Sequence, residues 1–162
     1  MTEGGEANQI PITMIGDFGA MHLIFPSGEM PTRNALREVR QALDSLGLTA
    51  DLAGTVEIVL AEALNNVVEH AYPPENPGVI EVLCKQEDER LYFTICDSGE
   101  ALIDGVPEGI PADIAQPLEF LPEGGFGWFL IRELADTVSY FRLGQRNQLR
   151  LGFCIGSCSG RA

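Results

Sequence analysis

One stretch of this sequence limits the fold more than any other. Wound as a helix, Leu52–Tyr72 is apolar around well over half its circumference, through Leu52, Val56, Val59, Leu60, Ala63, Leu64, Val67 and Val68. A helix this apolar lies inside a domain, packed on a sheet. Yet Glu62, Asn66 and His70 recur every fourth residue and stack along a single line of it. Polar groups on a buried helix need partners or a cavity. The chain must therefore build a layered domain in which this line of polar groups faces partners or a cavity. Pro73-Pro74 stops the helix.

The remaining elements fit one domain, as 162 residues should. Residues 1–9 read as a flexible tail, 10–156 as the domain and 157–162 as a second tail. Ile10–Ile15 and Ala20–Phe25 are two strands, or one broken at Gly16–Gly19. Pro31–Leu46 is a helix with an apolar stripe of Leu36, Val39, Leu43 and Leu46. Thr32 is its candidate N-cap and Gly47 its stop. Val79–Lys85 and Leu91–Asp97 form a hairpin. Leu91, Phe93, Ile95 and Asp97 share parity, so Asp97 ends an apolar row and projects towards the helices. Residues 98–125 have no period and read as a lid. Gly124-Gly125-Phe126-Gly127 then opens a helix, Trp128–Asp136. Val138–Leu143 and Gln148–Ile155 close the chain as a hairpin across 144–147. The predicted class is α+β: a two-layer sandwich with a mixed, mostly antiparallel sheet and helices on one face.

Charge narrows the function. Asp+Glu outnumber Lys+Arg 24 to 10, a net −14, which excludes nucleic acid and an anionic membrane face as partners. Lys85 is the only lysine and is not in a Gly-Lys-Ser/Thr context, so there is no P-loop. No run of 18 apolar residues and no basic leader is present, so the expected location is the cytoplasm. Cys84, Cys96, Cys154 and Cys158 form no C-x-x-C pair and are expected to be reduced and structural. Arg33, Arg37 and Arg40 line one side of the first helix, as a solvated face or as a docking surface for an acidic partner.

Three separated pieces carry the chemistry: the Glu62/Asn66/His70 line, Asp97-Ser98-Gly99 at a strand end, and Gly124–Gly127 at a helix start. In this order, with a lid between the second and third, they resemble the N, G1 and G2 boxes of the GHKL (Bergerat-fold) ATP-binding superfamily. Glu62-Ala-Leu-Asn-Asn-Val-Val-Glu-His-Ala-Tyr72 and Gly124-Gly-Phe-Gly-Trp-Phe-Leu-Ile-Arg-Glu-Leu-Ala-Asp136 are most similar to the anti-sigma factor serine/threonine kinases of the RsbW/SpoIIAB type. The resemblance spans about residues 20–155.

The resemblance implies ATP/ADP and Mg²⁺ as cofactors. Asp97 would accept the adenine amino group, with Gly99 letting the base approach the backbone. Asn66 would hold Mg²⁺ through ATP. The amides of Gly124, Gly125, Phe126, Gly127 and Trp128 would receive phosphate oxygens, as a helix N-terminus can. Glu62 would be the catalytic base or orient the attacking group. His70 would be structural or touch the site, and Arg132 is a candidate for phosphate charge. The implied partners are an anti-sigma antagonist of the STAS type and a sigma factor or other output protein, met through Arg33, Arg37 and Arg40 by a homodimer. The chain departs from the family pattern with Glu100-Ala101-Leu102 after Gly99, with Phe126 where many relatives have Arg, and with a lid holding six acidic residues and no basic one. Two alternatives stay open: a non-catalytic nucleotide-binding module that only sequesters partners, and the stand-alone ATPase half of a histidine kinase.

Overall fold

Each strong hydrophobic period becomes an element. The structure, a computed structural model, describes residues 20–102, 105–106 and 125–158. Strand β1 (Ala20–Pro26) leads into α1 (Glu29–Ser45) and α2 (Ala50–Asn66). A π-helical turn (Val67–Ala71) follows α2 without a break. Strands β2 (Val79–Glu87) and β3 (Arg90–Asp97) come next, then α3 (Gly125–Leu134), β4 (Thr137–Leu143) and β5 (Arg146–Cys154). The expected strand Ile10–Ile15, the chain before residue 20 and beyond residue 158, and most of the lid lie outside the described residues.

The sheet order is β1-β2-β3-β5-β4. The sequence predicts a mixed, mostly antiparallel sheet. Among the described strands every neighbouring pair is antiparallel. The cause is direction counting: each element reverses the chain. Two helices between β1 and β2 bring β2 back against β1, and α3 with the β4–β5 hairpin brings β5 back against β3. All three helices pack on one face. Met21, Leu23, Phe25, Ile80, Val82, Leu91, Phe93, Ile95, Leu151 and Phe153 point into that layer and meet Val39, Leu43, Val56, Leu60, Leu64 and Ile131. The other face of the sheet carries polar pairs, among them Glu81 with His22 and Arg146, and Arg150 over the Tyr92 ring at 4.0 Å.

Helix α1 starts two residues before the predicted Pro31, since proline fits a first turn where no N–H is needed. Thr32 is accordingly not its cap. It is buried in the first turn, and its Oγ1 donates to the Gly28 carbonyl at 2.7 Å. The buried stripe is Thr32, Ala35, Val39 and Leu43, turned slightly from the predicted one; Leu46 falls past the helix end and is 38% exposed. Gly47 does stop the helix, at φ 68°. Helix α2 begins at an unforeseen cap, Thr49, whose hydroxyl accepts the Leu52 N–H at 3.3 Å.

The cysteines divide. Cys84 and Cys96 are free and buried, and burial pushes the Cys84 thiol up to about 12. Cys154 and Cys158, expected to be reduced, are joined by a disulfide. Where β5 ends, the chain turns back through Gly156 and brings the two Cα atoms to 5.9 Å, within bridging range. Spacing alone does not reveal that turn.

Burial along α2 makes a test of the packing. Leu60 is 0% exposed and Ile58 is 48% exposed on the same helix. Leu60→Ala should cost about 2–5 kcal/mol of unfolding free energy in urea titration, and Ile58→Ala about 0.5 kcal/mol or less.

Candidate functional site

A cleft of about 510 Å³ opens where the C-terminal part of α2 faces the ends of β3 and β5. Its floor is apolar, from Ala63, Val67, Ile95 and Leu149, and its rim is polar, from Asn66, His70, Asp97, Tyr140 and Asn147. Trp128 of α3 closes one side. Size and mixture suit a small organic ligand held by a few placed polar groups.

The first wall is α2. Its polar line holds for Glu62 and Asn66. The π-turn then changes the pitch, and His70 leaves the line: its side chain is 62% exposed, 3.6 Å from Glu69, at the cleft rim. The Nδ2 of Asn66 is buried and has no hydrogen-bond partner among the described residues. A buried amide donor costs about 1–3 kcal/mol when unpaired, so this one is set for a ligand acceptor.

The π-turn also joins the helix to the strand. The Ala71 carbonyl accepts the Glu100 N–H at 2.9 Å. Gly99 lies so close to it that a Cβ there would stand 2.1 Å from the Ala71 oxygen. This contact, and not a ligand, is the nearest reason for glycine at 99. Tyr72 reinforces the join: its hydroxyl accepts the Ser98 N–H at 2.7 Å and donates to the Val79 carbonyl at 2.9 Å. Burial raises the Tyr72 phenol above its usual range.

Asp97 stands at the end of its apolar row and faces the helices, as its parity predicts; it is 8% exposed. Its Oδ1 accepts the Gly99 N–H at 2.9 Å and an N–H from Nδ2 of Asn147 at 2.8 Å. Among the described residues Oδ2 takes no hydrogen bond. Asn147 is a site residue that the sequence reading places in a turn. The turn is only Gly144-Gln145, so β5 begins at Arg146 and Asn147 pairs in register with Asp97. A signal is present: Asn147 shares parity with Leu149, Leu151 and Phe153, as Asp97 does with its own row.

The third piece is α3. Its start packs onto the polar line of α2. A Cβ on Gly127 would stand 2.8 Å from Glu62 Oε2 and 3.9 Å from Asn66 Oδ1. Glu62, Asn66 and the first turn of α3 are thus together, and of this group Asn66 and Trp128 line the cleft while Glu62 and Gly127 do not. Trp128 is buried, while Phe126 is 46% exposed and stacks on Phe129. Gly124 lies outside the described residues, and Gly125 opens the helix. Arg132 sits about two turns along α3 and donates to the Val106 carbonyl at 3.0 Å, at the root of the lid. Arg33, Arg37 and Arg40 lie on α1 and do not line the cleft.

The cleft thus offers the Asp97 carboxylate and the Asn66 amide, with the first turn of α3 and the Glu62 carboxylate packed beside that amide. Residues 25–153 match the profile of the Histidine kinase-like ATPase domain family. The chain belongs to this family. Over 95 residues it is 36% identical to the Serine-protein kinase RsbW of Halalkalibacterium halodurans, covering 57% of this chain and 57% of that one. It is 33% identical to a Serine-protein kinase RsbW of Bacillus cereus, over 57% of this chain and 59% of that one. The chain therefore matches well under two thirds of the length of these curated relatives. Its fold is similar to the crystal structure of the RsbU and RsbW domains of a Mycobacterium tuberculosis protein, with a TM-score of 0.60 and 14% identity, over 84% of this chain and 32% of that one. An α+β fold with helices on one side of the sheet is therefore common to both.

An ATPase domain implies ATP, and the residues present fit it. The Asn66 amide, orphaned among the described residues, could donate to a phosphate oxygen. Asp97 Oδ2, which takes no hydrogen bond among the described residues, could accept from the adenine amino group. Among the described residues no cluster of three or more His, Cys, Asp or Glu could hold a metal by itself. No helix among them is long and apolar enough to cross a membrane.

Asp97→Asn tests the adenine end. Turned as Asp97 now is, the amide would keep an oxygen for Gly99 and Asn147 and face the ligand with an N–H against an N–H. Losing a charged acceptor costs about 1.5–3 kcal/mol. ADP affinity by calorimetry should fall about 10- to 150-fold, with little change in melting temperature.

Proposed function

We propose that the chain is an ATP-dependent serine/threonine protein kinase of the RsbW type. It transfers the γ-phosphoryl group of ATP to a hydroxyl of a small antagonist protein. The observation that carries this reading is the meeting of Glu62 and the first turn of α3 beside Asn66, which lines the cleft. The similarity to relatives named serine-protein kinases supports it.

The roles follow from chemistry. Adenine lies against Asp97, and the phosphates run towards α3, whose first amides and dipole favour anions. Asn66 Oδ1 is a hard oxygen donor, so Asn66 would hold Mg²⁺ together with the phosphates. When bound, the ion supplies charge neutralisation that the six acidic residues of the lid do not. Glu62 would take the proton of the acceptor hydroxyl as its oxygen attacks the γ-phosphorus and ADP leaves. Gly127 is where a side chain would collide with Glu62.

Partner choice belongs to a different surface. In the RsbW reading the same kinase also holds a sigma factor or other output protein, as a cytoplasmic homodimer, and phosphorylation of the antagonist sets which partner is held. On α1, Arg33 pairs with Glu29 at 2.6 Å, and Arg40 with Asp44 at 3.2 Å and Glu57 at 2.7 Å. Among the described residues the Arg37 side chain has one hydrogen bond, to Asn34 at 3.4 Å, and no ion pair. Its charge is the least compensated of the three, which makes it the best anchor for an acidic partner.

Two experiments test the reading. With labelled ATP and a partner co-purified from the native cell, Glu62→Ala should cut phosphate transfer about 10²- to 10⁴-fold and leave ATP affinity within about threefold. A wild-type chain that binds ATP and labels no partner would leave the non-catalytic sequestration module in its place. Arg37→Glu should weaken partner capture at least about tenfold and leave ADP binding unchanged. Partner affinity that ignores charge reversal at Arg33, Arg37 and Arg40 alike puts the docking face elsewhere.

A further inference from the structure

The cleft contains an interaction that none of the roles above uses. Asp97, Asn147 and Arg142 are in register across three strands, since Asp97 pairs with Asn147 and Arg142 pairs with Asn147 on its other side. All three point to the helix face, and Asn147 is 2% exposed. Its amide is spoken for on both sides. Tyr140 donates its hydroxyl proton to Oδ1 at 2.8 Å, and Arg142 donates an N–H to the same oxygen at 2.7 Å. On the other side Nδ2 lies 2.8 Å from Asp97 Oδ1, 3.0 Å from the Glu100 carbonyl and 3.3 Å from the Gly99 carbonyl.

Those contacts fix the amide in one orientation. A flipped amide would set Nδ2 against two donors and Oδ1 against three acceptors. With Nδ2 fixed, Asp97 Oδ1 accepts two N–H bonds, from Asn147 and Gly99, and both its lone pairs are taken. Oδ2 is then the oxygen of Asp97 left for a ligand. The same donors hold the chain where the lid begins: Arg142 also reaches the Gly99 carbonyl at 3.0 Å, and the Tyr140 oxygen accepts the Leu102 N–H at 3.1 Å.

We infer that Asn147, locked by Tyr140 and Arg142, is the positioning residue that occupies Asp97 Oδ1, leaves Oδ2 turned to the ligand and ties Asp97 to the root of the lid. None of the three needs to touch the nucleotide. The effect is on which hydrogen-bond pattern the cleft accepts, a base carrying an amino donor. This inference rests on the reading of the cleft as an ATP site.

Asn147→Asp is the informative variant, because it changes one atom and keeps the shape. Its oxygen at Oδ1 still receives Tyr140 and Arg142. Its other oxygen faces Asp97 and two carbonyls, all acceptors. Two adjacent carboxylates cannot both ionise cheaply, so the pair takes up a shared proton. With that proton the new acid donates to Asp97 much as the amide did; without it the two repel. The other ionisable groups facing this position are Tyr140 and Arg142 from β4, with Glu100 and His70 on the cleft rim. These are common to wild type and variant, so the comparison cancels them.

The experiment measures ADP and IDP affinity by calorimetry at pH 6 and pH 8.5, with melting temperatures at both. From pH 6 to pH 8.5 the variant should lose at least about tenfold more ADP affinity than wild type loses. At pH 6 its preference for ADP over IDP should stay within about twofold of wild type, because the shared proton lies on the Oδ1 side and Oδ2 still accepts. Tyr140→Phe should lower ADP affinity several-fold and add no pH dependence, and it stands as the test if the first variant does not fold. A variant with wild-type affinity and pH response, or one whose base preference is lost at pH 6, overturns the inference alone. A wild-type chain that binds no adenine nucleotide overturns the ATP reading and this inference with it.

Discussion

The candidate site depends on the contact between the end of a helix and the end of a strand. The Ala71 carbonyl, left without a helical partner where the π-turn stops, is taken by the Glu100 N–H, and Gly99 sits against it with no room for a side chain. This join sets the height of Asp97 relative to Asn66. The π-turn makes it possible, since one extra residue in the turn swings a carbonyl out of the helix; such turns are frequent at functional sites. The apolar body of α2 then holds the geometry, because its buried residues would all have to leave the sheet before the polar line could move.

The division of labour across the cleft follows from that join. One end is rigid and short-range: a carboxylate, an amide and an arginine in register across three strands. The other end relies on the amide of Asn66, with the first turn of α3 and Glu62 packed beside it. A protein of net charge −14 can hold a polyanion only with such local devices, since its overall field opposes the approach. Two of its ten cationic side chains, Arg132 and Arg142, donate to backbone carbonyls where the lid begins.

Most of the fold was legible from periodicity, because burial on one face writes a period into the sequence. The alternation of Leu91, Phe93 and Ile95 placed Asp97 correctly, and the apolar circumference of α2 placed the helix layer. The failures share a cause. Thr32, His70, Asn147 and the Cys154–Cys158 pair each depend on how the chain turns at an element end, and turns leave a weak local trace. Pro31 looks like a boundary and is inside a first turn. His70 looks aligned until a π-turn changes the pitch. Asn147 looks like part of a four-residue loop, and the two-residue turn at Gly144, with φ 61°, moves it into the sheet opposite Asp97. The glycine turn was legible only as a motif, since what gives Gly127 its meaning is the carboxylate of Glu62 beneath it.

Calorimetric titration of the wild-type chain with ATP, in magnesium and again in excess EDTA, addresses the reading of this cleft most directly. One ATP should bind per chain, and its affinity should fall at least about tenfold when magnesium is withdrawn, because the α3 amides alone cannot balance the triphosphate. No saturable binding, or an affinity indifferent to magnesium, would contradict the assignment of Asn66 and the first turn of α3 to the phosphates.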